Sequence, residues 1–321
     1  MAFGANMLIQ QVLQVRKGET VLIVTDTDRP RTITQALAYS AVSAGAEVVV
    51  LTMEPVEIGG QEPPAPVAAA MAAAQVVINQ SSHSLTHTEA TREAMRRGAR
   101  IANLRNVTEE MMVSGGIRAD YAQVRRITER LARLLTEADV IRMTTSEGTD
   151  LTMHSRGRRA IAQAGLVTKP GELSGLPDGE ATLAPIEGVT EGMAVAPYIA
   201  DSLGLITDPF RLEIAAGRIV RVTGGRQALE LTRLLERHDA AGHNAASQFA
   251  LGTNPACRVV PNTREVSKKL GTAHFAIGDN ITLGGESRSD FHIDFVFLTP
   301  TVYLDGTCIL EDGRYQIDLE G

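Results

Sequence analysis

Tryptophan is absent from the sequence, and aromatic residues make up only 4% of its 321 residues. Proteins that bind single-stranded nucleic acid stack bases on aromatic side chains, so this scarcity weighs against that class. Positive charge is also scarce, because 31 lysine and arginine residues are outnumbered by 38 aspartate and glutamate residues, giving a net charge of −7. A nucleic-acid partner favours a basic stripe, and we therefore expect none.

Cysteine is nearly absent, with only Cys257 and Cys308 in the chain. No disulfide framework is implied, which favours a reducing compartment. The first residues lack the charged segment and apolar core of a secretory signal, and no apolar run is long enough to span a membrane. The sequence therefore predicts a cytoplasmic protein that acts on a small molecule rather than at a membrane.

Three catalytic and cofactor motifs are also missing. The turn after the first predicted strand reads DTDRP and has no G-x-G-x-x-G, which makes a dinucleotide site improbable. The chain contains no G-x-S-x-G elbow, and neither cysteine lies in a recognisable cysteine–histidine context. Nucleophilic catalysis by serine or cysteine is therefore not expected.

Short apolar strands alternate with helices along residues 1–143. The predicted strands are Thr20–Thr25, Glu47–Met53, Gln75–Gln80, Arg100–Leu104 and Asp139–Met143. The predicted helices are Arg31–Ala44, Val67–Ala74, Thr88–Arg97 and Tyr121–Glu137. This alternation predicts a Rossmann-like α/β scaffold domain whose parallel sheet has helices on both faces.

Residues 144–321 have a different character, with more glycine, many short β-like runs and one amphipathic helix at Gln227–His238. We expect an α+β second domain, with the metal-binding and catalytic residues in it. Its most informative segment is HFAIGDNITLGGESRSDFHIDFVF, residues 274–297, which contains His274, His292 and Asp294.

His292 and Asp294 are two residues apart in an apolar run, so both side chains point to the same face if the run is a strand. Phe291, Ile293 and Phe295 would then pack on the opposite face. The pair Gly284-Gly285 permits a hairpin-like return toward His274. Two histidines and a carboxylate suit a hydrolytic zinc site and a non-haem iron triad equally well, so these residues predict a metal centre of either kind.

Three further residues are candidates for the site. Glu180 follows the turn Pro177–Gly179 and is interpreted either as an exposed turn residue or as a metal ligand and general base. Gln248 begins the run QFALGTNP, is neutral and therefore a poor metal ligand, and is assigned to substrate contact. His87 lies in a loop after a strand of the predicted parallel sheet, where such sheets place ligands.

Four segments, in this order, resemble the aminopeptidase T-type metallopeptidase family, a group that also contains the 2,5-dihydroxypyridine dioxygenase branch. They are LPDGEATLAP, FALGTNP, LGTAHFAIGDN and FHIDFVF, and the likeness extends from THTEATREAMRRGARI to the C-terminus. The resemblance implies a homodimer, an α/β N-terminal region and a metal site in the C-terminal region.

Peptidases of this family hold two divalent ions with two glutamates, two histidines and an aspartate. The resemblance carries the first glutamate to Glu180. It carries the two histidines to His274 and His292, and the aspartate to Asp294.

The chain departs from the peptidase pattern at two positions, since the second glutamate falls on Gln248 and the catalytic tyrosine on Ile281. The dioxygenase branch resembles a single-iron design with His-x-Asp and one further histidine. That histidine falls near Gln248, where the nearest imidazole is His243, and His274 is not part of its pattern.

We predict one divalent ion, which could be zinc, manganese, cobalt or iron(II). A second ion is disfavoured because two close dications need carboxylates to offset their repulsion. The main hypothesis is a metal-dependent hydrolase of aminopeptidase type that acts on an amide or related C–N bond, with Glu180 taking the proton from bound water. Two alternatives stay open: a mononuclear Fe(II) ring-cleaving dioxygenase related to 2,5-dihydroxypyridine 5,6-dioxygenase, and a non-catalytic metal- or ligand-binding protein.

Overall fold

The structure, a computed structural model, describes residues 1–319. Its α-helices are α1 (Ala2–Asn6), α2 (Arg31–Ser43), α3 (Ala65–Ala73), α4 (Glu89–Arg96), α5 (Glu109–Ser114), α6 (Tyr121–Glu137), α7 (Arg226–Arg237) and α8 (Thr263–Val266). Its strands are β1 (Thr20–Asp26), β2 (Glu47–Met53), β3 (Val76–Gln80), β4 (Arg100–Asn103), β5 (Val140–Thr144), β6 (Asp150–His154), β7 (Ile161–Gln163), β8 (Leu173–Gly175), β9 (Glu180–Leu183), β10 (Glu191–Val195), β11 (Ile199–Ala200), β12 (Gly204–Leu205), β13 (Phe210–Ala215), β14 (Arg218–Gly224), β15 (Gln248–Gly252), β16 (Ala273–Gly278), β17 (His292–Phe297), β18 (Thr301–Leu304), β19 (Thr307–Glu311) and β20 (Arg314–Tyr315).

The chain divides into two compact units. The N-terminal unit comprises residues 1–122 and 165–178, and the C-terminal unit comprises residues 123–164 and the chain from residue 179 onward. That residues 1–143 and residues 144–321 form two separate domains stays a prediction. Within residues 1–319, no helix combines the length and the apolar character needed to cross a membrane.

The N-terminal unit contains a five-stranded sheet in the order β2-β1-β3-β4-β8, and every neighbouring pair is parallel. Strand β1 is buried from Val21 to Asp26, as expected for a strand of a parallel sheet that is covered on both faces. The predicted α/β region with a parallel sheet is confirmed. The short strand β8 was not predicted, because its sequence LSG has no apolar run.

Helix α4 begins one residue later than predicted, and the reason is local. Thr88 is its N-cap, and the Thr88 hydroxyl accepts a hydrogen bond from the backbone N–H of Thr91. A side-chain oxygen at this position satisfies one of the unpaired N–H groups of the first helical turn. His87 therefore lies in the preceding loop, as the sequence indicated.

Strand β5 corrects one sequence prediction. The segment Asp139–Met143 was expected to be the last strand of the parallel sheet, but β5 pairs antiparallel with β6 and β18 in another sheet. A tight turn accounts for the difference, because Thr145 and Thr149 pair through their backbones and Gly148 has a φ of +105°. A glycine permits this conformation, which lets the chain reverse directly into β6.

The C-terminal unit contains two antiparallel sheets. One has eight strands in the order β14-β13-β10-β6-β5-β18-β19-β20, and the other has seven in the order β12-β11-β17-β16-β15-β9-β7. One hydrophobic core includes Met143 and Leu151 from the first sheet, Phe249 and Phe275 from the second, and Leu231 from α7. The seven-stranded sheet carries the candidate site.

Candidate metal centre

One face of the seven-stranded sheet collects the candidate residues of the C-terminal unit. Ala276 on β16 pairs with Gln248 on one side and with Asp294 on the other, and Gly252 on β15 pairs with Glu180. Directly paired residues share a face, as do residues two apart on a strand. The face therefore carries all five candidates: Glu180, Gln248, His274, His292 and Asp294.

The opposite face of the same strands is aromatic. The rings of Phe275 and Phe295 stack with centroids 5.2 Å apart, and both side chains are fully buried. Ile293 and Phe295 are buried on this side, as the alternation around His292 predicted. Phe291 precedes the strand, and its ring lies against that of His238 with centroids 4.4 Å apart.

His292 is held by backbone and side-chain contacts on both ring nitrogens. Its Nδ1 lies 3.0 Å from the carbonyl oxygen of Asp279 and 3.0 Å from the hydroxyl of Ser247. An N–H at Nδ1 that donates to a carbonyl fixes the ring and leaves Nε2 as the nitrogen for a metal. That Nε2 lies 3.2 Å from Oδ1 of Asp294.

The His292–Asp294 pair carries opposite charges. Desolvation lowers the pKa of His292, but the hydrogen bond and the charge of Asp294 outweigh it and raise the pKa to about 9. Burial raises the pKa of Asp294, but its electrostatic coupling to His274 and the hydrogen bond and charge of His292 hold that pKa well below its usual range. The pair is therefore an imidazolium beside a carboxylate, and metal binding at Nε2 requires the loss of that proton.

His274 is fully buried and incompletely bonded. Its Nε2 lies 3.2 Å from Nε2 of Gln248 and 3.4 Å from Oε2 of Glu180. Its Nδ1 has no hydrogen-bond partner although it is buried, which costs about 1 to 3 kcal/mol. Burial lowers the pKa of His274, although the charges of Asp294 and Glu180 oppose this shift, and a lowered pKa favours the neutral form that a metal needs.

Glu180 is buried, with 3% of its side chain exposed, and its Oε2 accepts a hydrogen bond from the ammonium of Lys268. The interpretation of Glu180 as an exposed turn residue is therefore wrong. Its position depends on Gly179, which has a φ of +138° and lies so near Asn254 that a Cβ would be 2.8 Å from that of Asn254. The backbone of Asn254 in turn bonds the carbonyl of Lys268, so one turn positions both partners.

Sequence reasoning missed Lys268. No spacing connects it to Glu180, which lies 88 positions earlier in the chain. The only sequence signal for an ion pair was the position of Lys268 in SKKLGTAH, six residues before His274. A lysine so close to a buried strand needs a partner for its charge.

Two other histidines are not on the strands that form this face. The Nδ1 of His243 lies 3.3 Å from the carbonyl of Ile219, on a strand of the eight-stranded sheet, so His243 does not replace Gln248 at the site. His87 is an exposed residue of the N-terminal unit whose carbonyl accepts a hydrogen bond from Arg92. Its contact with substrate stays a prediction.

As the side chains stand, no three histidine, cysteine, aspartate or glutamate residues within residues 1–319 are arranged to hold a metal ion together. The physical reason is visible in the contacts, since His292 and Asp294 bond each other and Glu180 bonds Lys268. The donor atoms are of the right chemical type and lie on one face, but they are engaged with one another.

A family model named NicX, for 2,5-dihydroxypyridine 5,6-dioxygenase, matches residues 7–317. The chain belongs to this family. The finding supports the dioxygenase alternative better than the hydrolase that the sequence favoured, and membership of the family implies a divalent metal. No curated protein sequence matches the chain.

Two solved structures share the fold along nearly the whole chain. The 2,5-dihydroxypyridine dioxygenase of Pseudomonas putida KT2440 has a TM-score of 0.81 and 18% identity, covering 100% of this chain and 98% of that one. Wild-type AmpT of Thermus thermophilus has a TM-score of 0.68 and 19% identity, covering 98% of each chain. The fold relationship to both the dioxygenase and aminopeptidase T is therefore established.

Proposed function

We propose that the chain is an iron(II)-dependent dioxygenase that opens an electron-rich, hydroxylated ring of the 2,5-dihydroxypyridine type. The family match supports this proposal, and the His292–Asp294 pair carries it within the structure. Aminopeptidase T shares the fold at 19% identity, which by itself gives no support to peptide hydrolysis.

His274, His292 and Asp294 would hold the ion, because two imidazoles and one carboxylate are the donor set of mononuclear iron oxygenases. His274 would then take the place of the further histidine of the dioxygenase pattern, which this chain lacks at Gln248. The unpartnered Nδ1 of His274 and the anchored Nδ1 of His292 are the structural observations that agree with this assignment. When bound, iron(II) would supply the one-electron chemistry with O₂ that no amino-acid side chain provides.

Lys268 is the reason for proposing a single ion. Its ammonium already compensates the charge of Glu180, so a second dication beside that carboxylate would meet a fixed positive charge. The same ammonium can stabilise negative charge on a ring oxygen of the substrate. Gln248 offers both an amide donor and an acceptor, which suits a ring hydroxyl.

Glu180 has a narrower role in this proposal than in the hydrolase hypothesis. The hydrogen bond from the buried ammonium of Lys268 orients the carboxylate of Glu180 for accepting the proton of a ring hydroxyl. The positive charge of Lys268 also offsets the negative charge of that carboxylate. We therefore propose Glu180 as a proton acceptor toward substrate and not as a metal ligand.

The deciding experiment reconstitutes the metal-free protein anaerobically with either iron(II) or zinc(II). We expect oxygen uptake with 2,5-dihydroxypyridine in the iron form and none in the zinc form, measured with an oxygen electrode while ring absorbance is followed. His292→Ala should abolish the uptake, and His243→Ala is the matched control that should retain it. Amide hydrolysis by the zinc form without oxygen would overturn the proposal.

Metal content tests the single-ion proposal separately. Mass spectrometry of the reconstituted protein should find one iron per chain. Two ions per chain in the wild-type protein would contradict the proposal that Lys268 excludes a second ion. The dioxygenase proposal would not be affected by that result.

We further propose that the enzyme works as a homodimer in the cytoplasm. The dimer rests on the family resemblance, and the compartment on the two cysteines, neither of which forms a disulfide within residues 1–319. Light scattering should give twice the chain mass, and a monomer mass would refute the dimer. Recovery from the soluble fraction of lysed cells, and not from the periplasm, tests the compartment.

A further inference from the structure

A cavity of about 370 Å³ lies in the N-terminal unit, at the carboxyl end of β1. Its walls come from β1, the edge strand β2, the DTDRP turn and the first two turns of α2. Open α/β sheets bind ligands at the carboxyl ends of their strands. The position is therefore the one where a parallel sheet of this kind accepts a small molecule.

Two arginines give the cavity a positive character. Arg29 and Arg31 both line it, and within residues 1–319 neither forms an ion pair with a carboxylate. The Nε of Arg29 is buried without a hydrogen-bond partner. Arg31 is the first residue of α2, a helix that has no side-chain cap and no acidic residue in its first turn. Uncapped N–H groups and the helix dipole add to the attraction for an anion.

The two polar side chains at the end of β1 differ in their hydrogen bonding. Thr25 lines the cavity, is only 5% exposed, and its hydroxyl has no hydrogen-bond partner. Asp26 supplies the one carboxylate among the lining residues that the structure describes. Its oxygens accept hydrogen bonds from the N–H of Ser82 (2.6 Å), the Ser82 hydroxyl (2.8 Å) and the N–H of Asp28 (3.1 Å), so other donors occupy it.

The surface of the lining is mainly apolar although most of its residues are polar. Ala38 and Val50 are its apolar residues, and Thr27, Thr34, Gln35 and Thr52 complete it. A ligand that fills this space needs an apolar body as well as a charged end. An arginine fork matches the two oxygens of a carboxylate or phosphate, and an ammonium or a neutral ring would leave both guanidiniums unpaired.

We propose that this cavity binds the oxyanion of a small molecule that has a compact apolar body, with Arg29 and Arg31 as the anion-binding residues. The inference is independent of the proposed function, because it concerns residues of the N-terminal unit alone. Carboxylate and phosphate share the chemistry, and the test separates them.

The test is titration calorimetry on the full chain at low salt, with three probes: benzoate, inorganic phosphate and benzyl alcohol, the neutral counterpart of benzoate. We expect benzoate or phosphate to bind at one per chain and benzyl alcohol not to bind. The probe that binds identifies the oxyanion. If neither anion binds, or if benzyl alcohol binds as well as benzoate, the proposal is overturned.

Variants locate the binding. Arg29→Ala and Arg31→Ala should each weaken it by about tenfold or more, because each removes charge-assisted hydrogen bonds. Arg105→Ala is the matched control, since Arg105 is an exposed arginine of the same unit, and its effect should stay within about twofold. Binding that survives both cavity substitutions but disappears in His292→Ala would assign the anion to the metal centre and refute the proposal.

Discussion

The parallel sheet of the N-terminal unit and the seven-stranded sheet of the C-terminal unit both have buried central strands, yet they place polar residues differently. In the parallel sheet most buried polar side chains lie at the carboxyl ends of strands, as Thr25, Asp26 and Gln80 do, whereas Arg100 lies at the start of β4. In the seven-stranded sheet the buried polar residues Glu180, Gln248 and His274 lie on one face of three neighbouring strands. A polar face inside a sheet requires partners for every group, so it marks where chemistry is supported.

The largest expected effect on stability comes from removing the ammonium of Lys268, which pairs with Glu180 on this polar face. Lys268→Met leaves Glu180 buried without its counter-charge and should lower the free energy of unfolding by about 4 kcal/mol. Urea unfolding measures this loss, and the double variant with Glu180→Gln should recover most of it. Lys269→Met is the control, because the ammonium of Lys269 bonds only the carbonyl of Leu270 among the described contacts. Wild-type stability in Lys268→Met would show that the pair is not formed.

The aromatic face should respond in stability alone. Phe275→Ala removes a fully buried ring and leaves a cavity beside Phe295, which should cost about 3 kcal/mol. Thermal or urea unfolding measures it, and Leu229→Ala, at a side chain 59% exposed, serves as control. Iron content per folded chain should stay the same. Loss of iron in Phe275→Ala would show that the aromatic face affects metal binding as well as stability.

Metal affinity should depend on the polar face. His292→Ala removes a proposed ligand and should weaken iron or zinc binding by at least about a hundredfold, or about 2.7 kcal/mol. Titration with a competing chelator measures the change, and His243→Ala should bind metal as the wild type does. Unchanged affinity in His292→Ala would remove the basis of the metal centre.

The smallest effect concerns Glu187, which holds the loop between β16 and β17. Its carboxylate accepts hydrogen bonds from Asn280 (2.6 Å) and from the N–H of Glu286 (2.8 Å), and it pairs with Arg158. Burial raises the pKa of Glu187, but these hydrogen bonds outweigh it and hold the pKa below its ordinary value. Glu187→Gln should therefore cost about 1 kcal/mol at neutral pH.

The pH dependence of that loss has a definite sign. A lowered pKa contributes stability above the pKa of the unfolded state, and the contribution disappears as pH falls through the folded-state pKa. The stability difference between wild type and Glu187→Gln should accordingly shrink below about pH 4. Glu286→Gln, at an exposed carboxylate, should show no such trend. A difference that grows on acidification would contradict the assigned hydrogen bonds.

Much of the fold could be predicted because its signals are local. The bounds of β2 and α6 agree with the sequence prediction, and the alternation around His292 correctly placed Ile293 and Phe295 on the aromatic face. The sequence prediction placed β5 in the wrong sheet because the residues of a strand do not determine which sheet the strand joins. That choice depended on a tight turn at Gly148 and on pairing with distant β18.

The sequence by itself determined most strands and helices of residues 1–143 and that His292 and Asp294 share a face, because side-chain direction repeats with a fixed period along each element. Only the tertiary structure decided that Lys268 compensates Glu180, that Gln248 contacts His274, and that two arginines line a cavity beside β1. Those contacts depend on sheet register and on the closure of long loops, which many distant residues fix together and no short pattern contains.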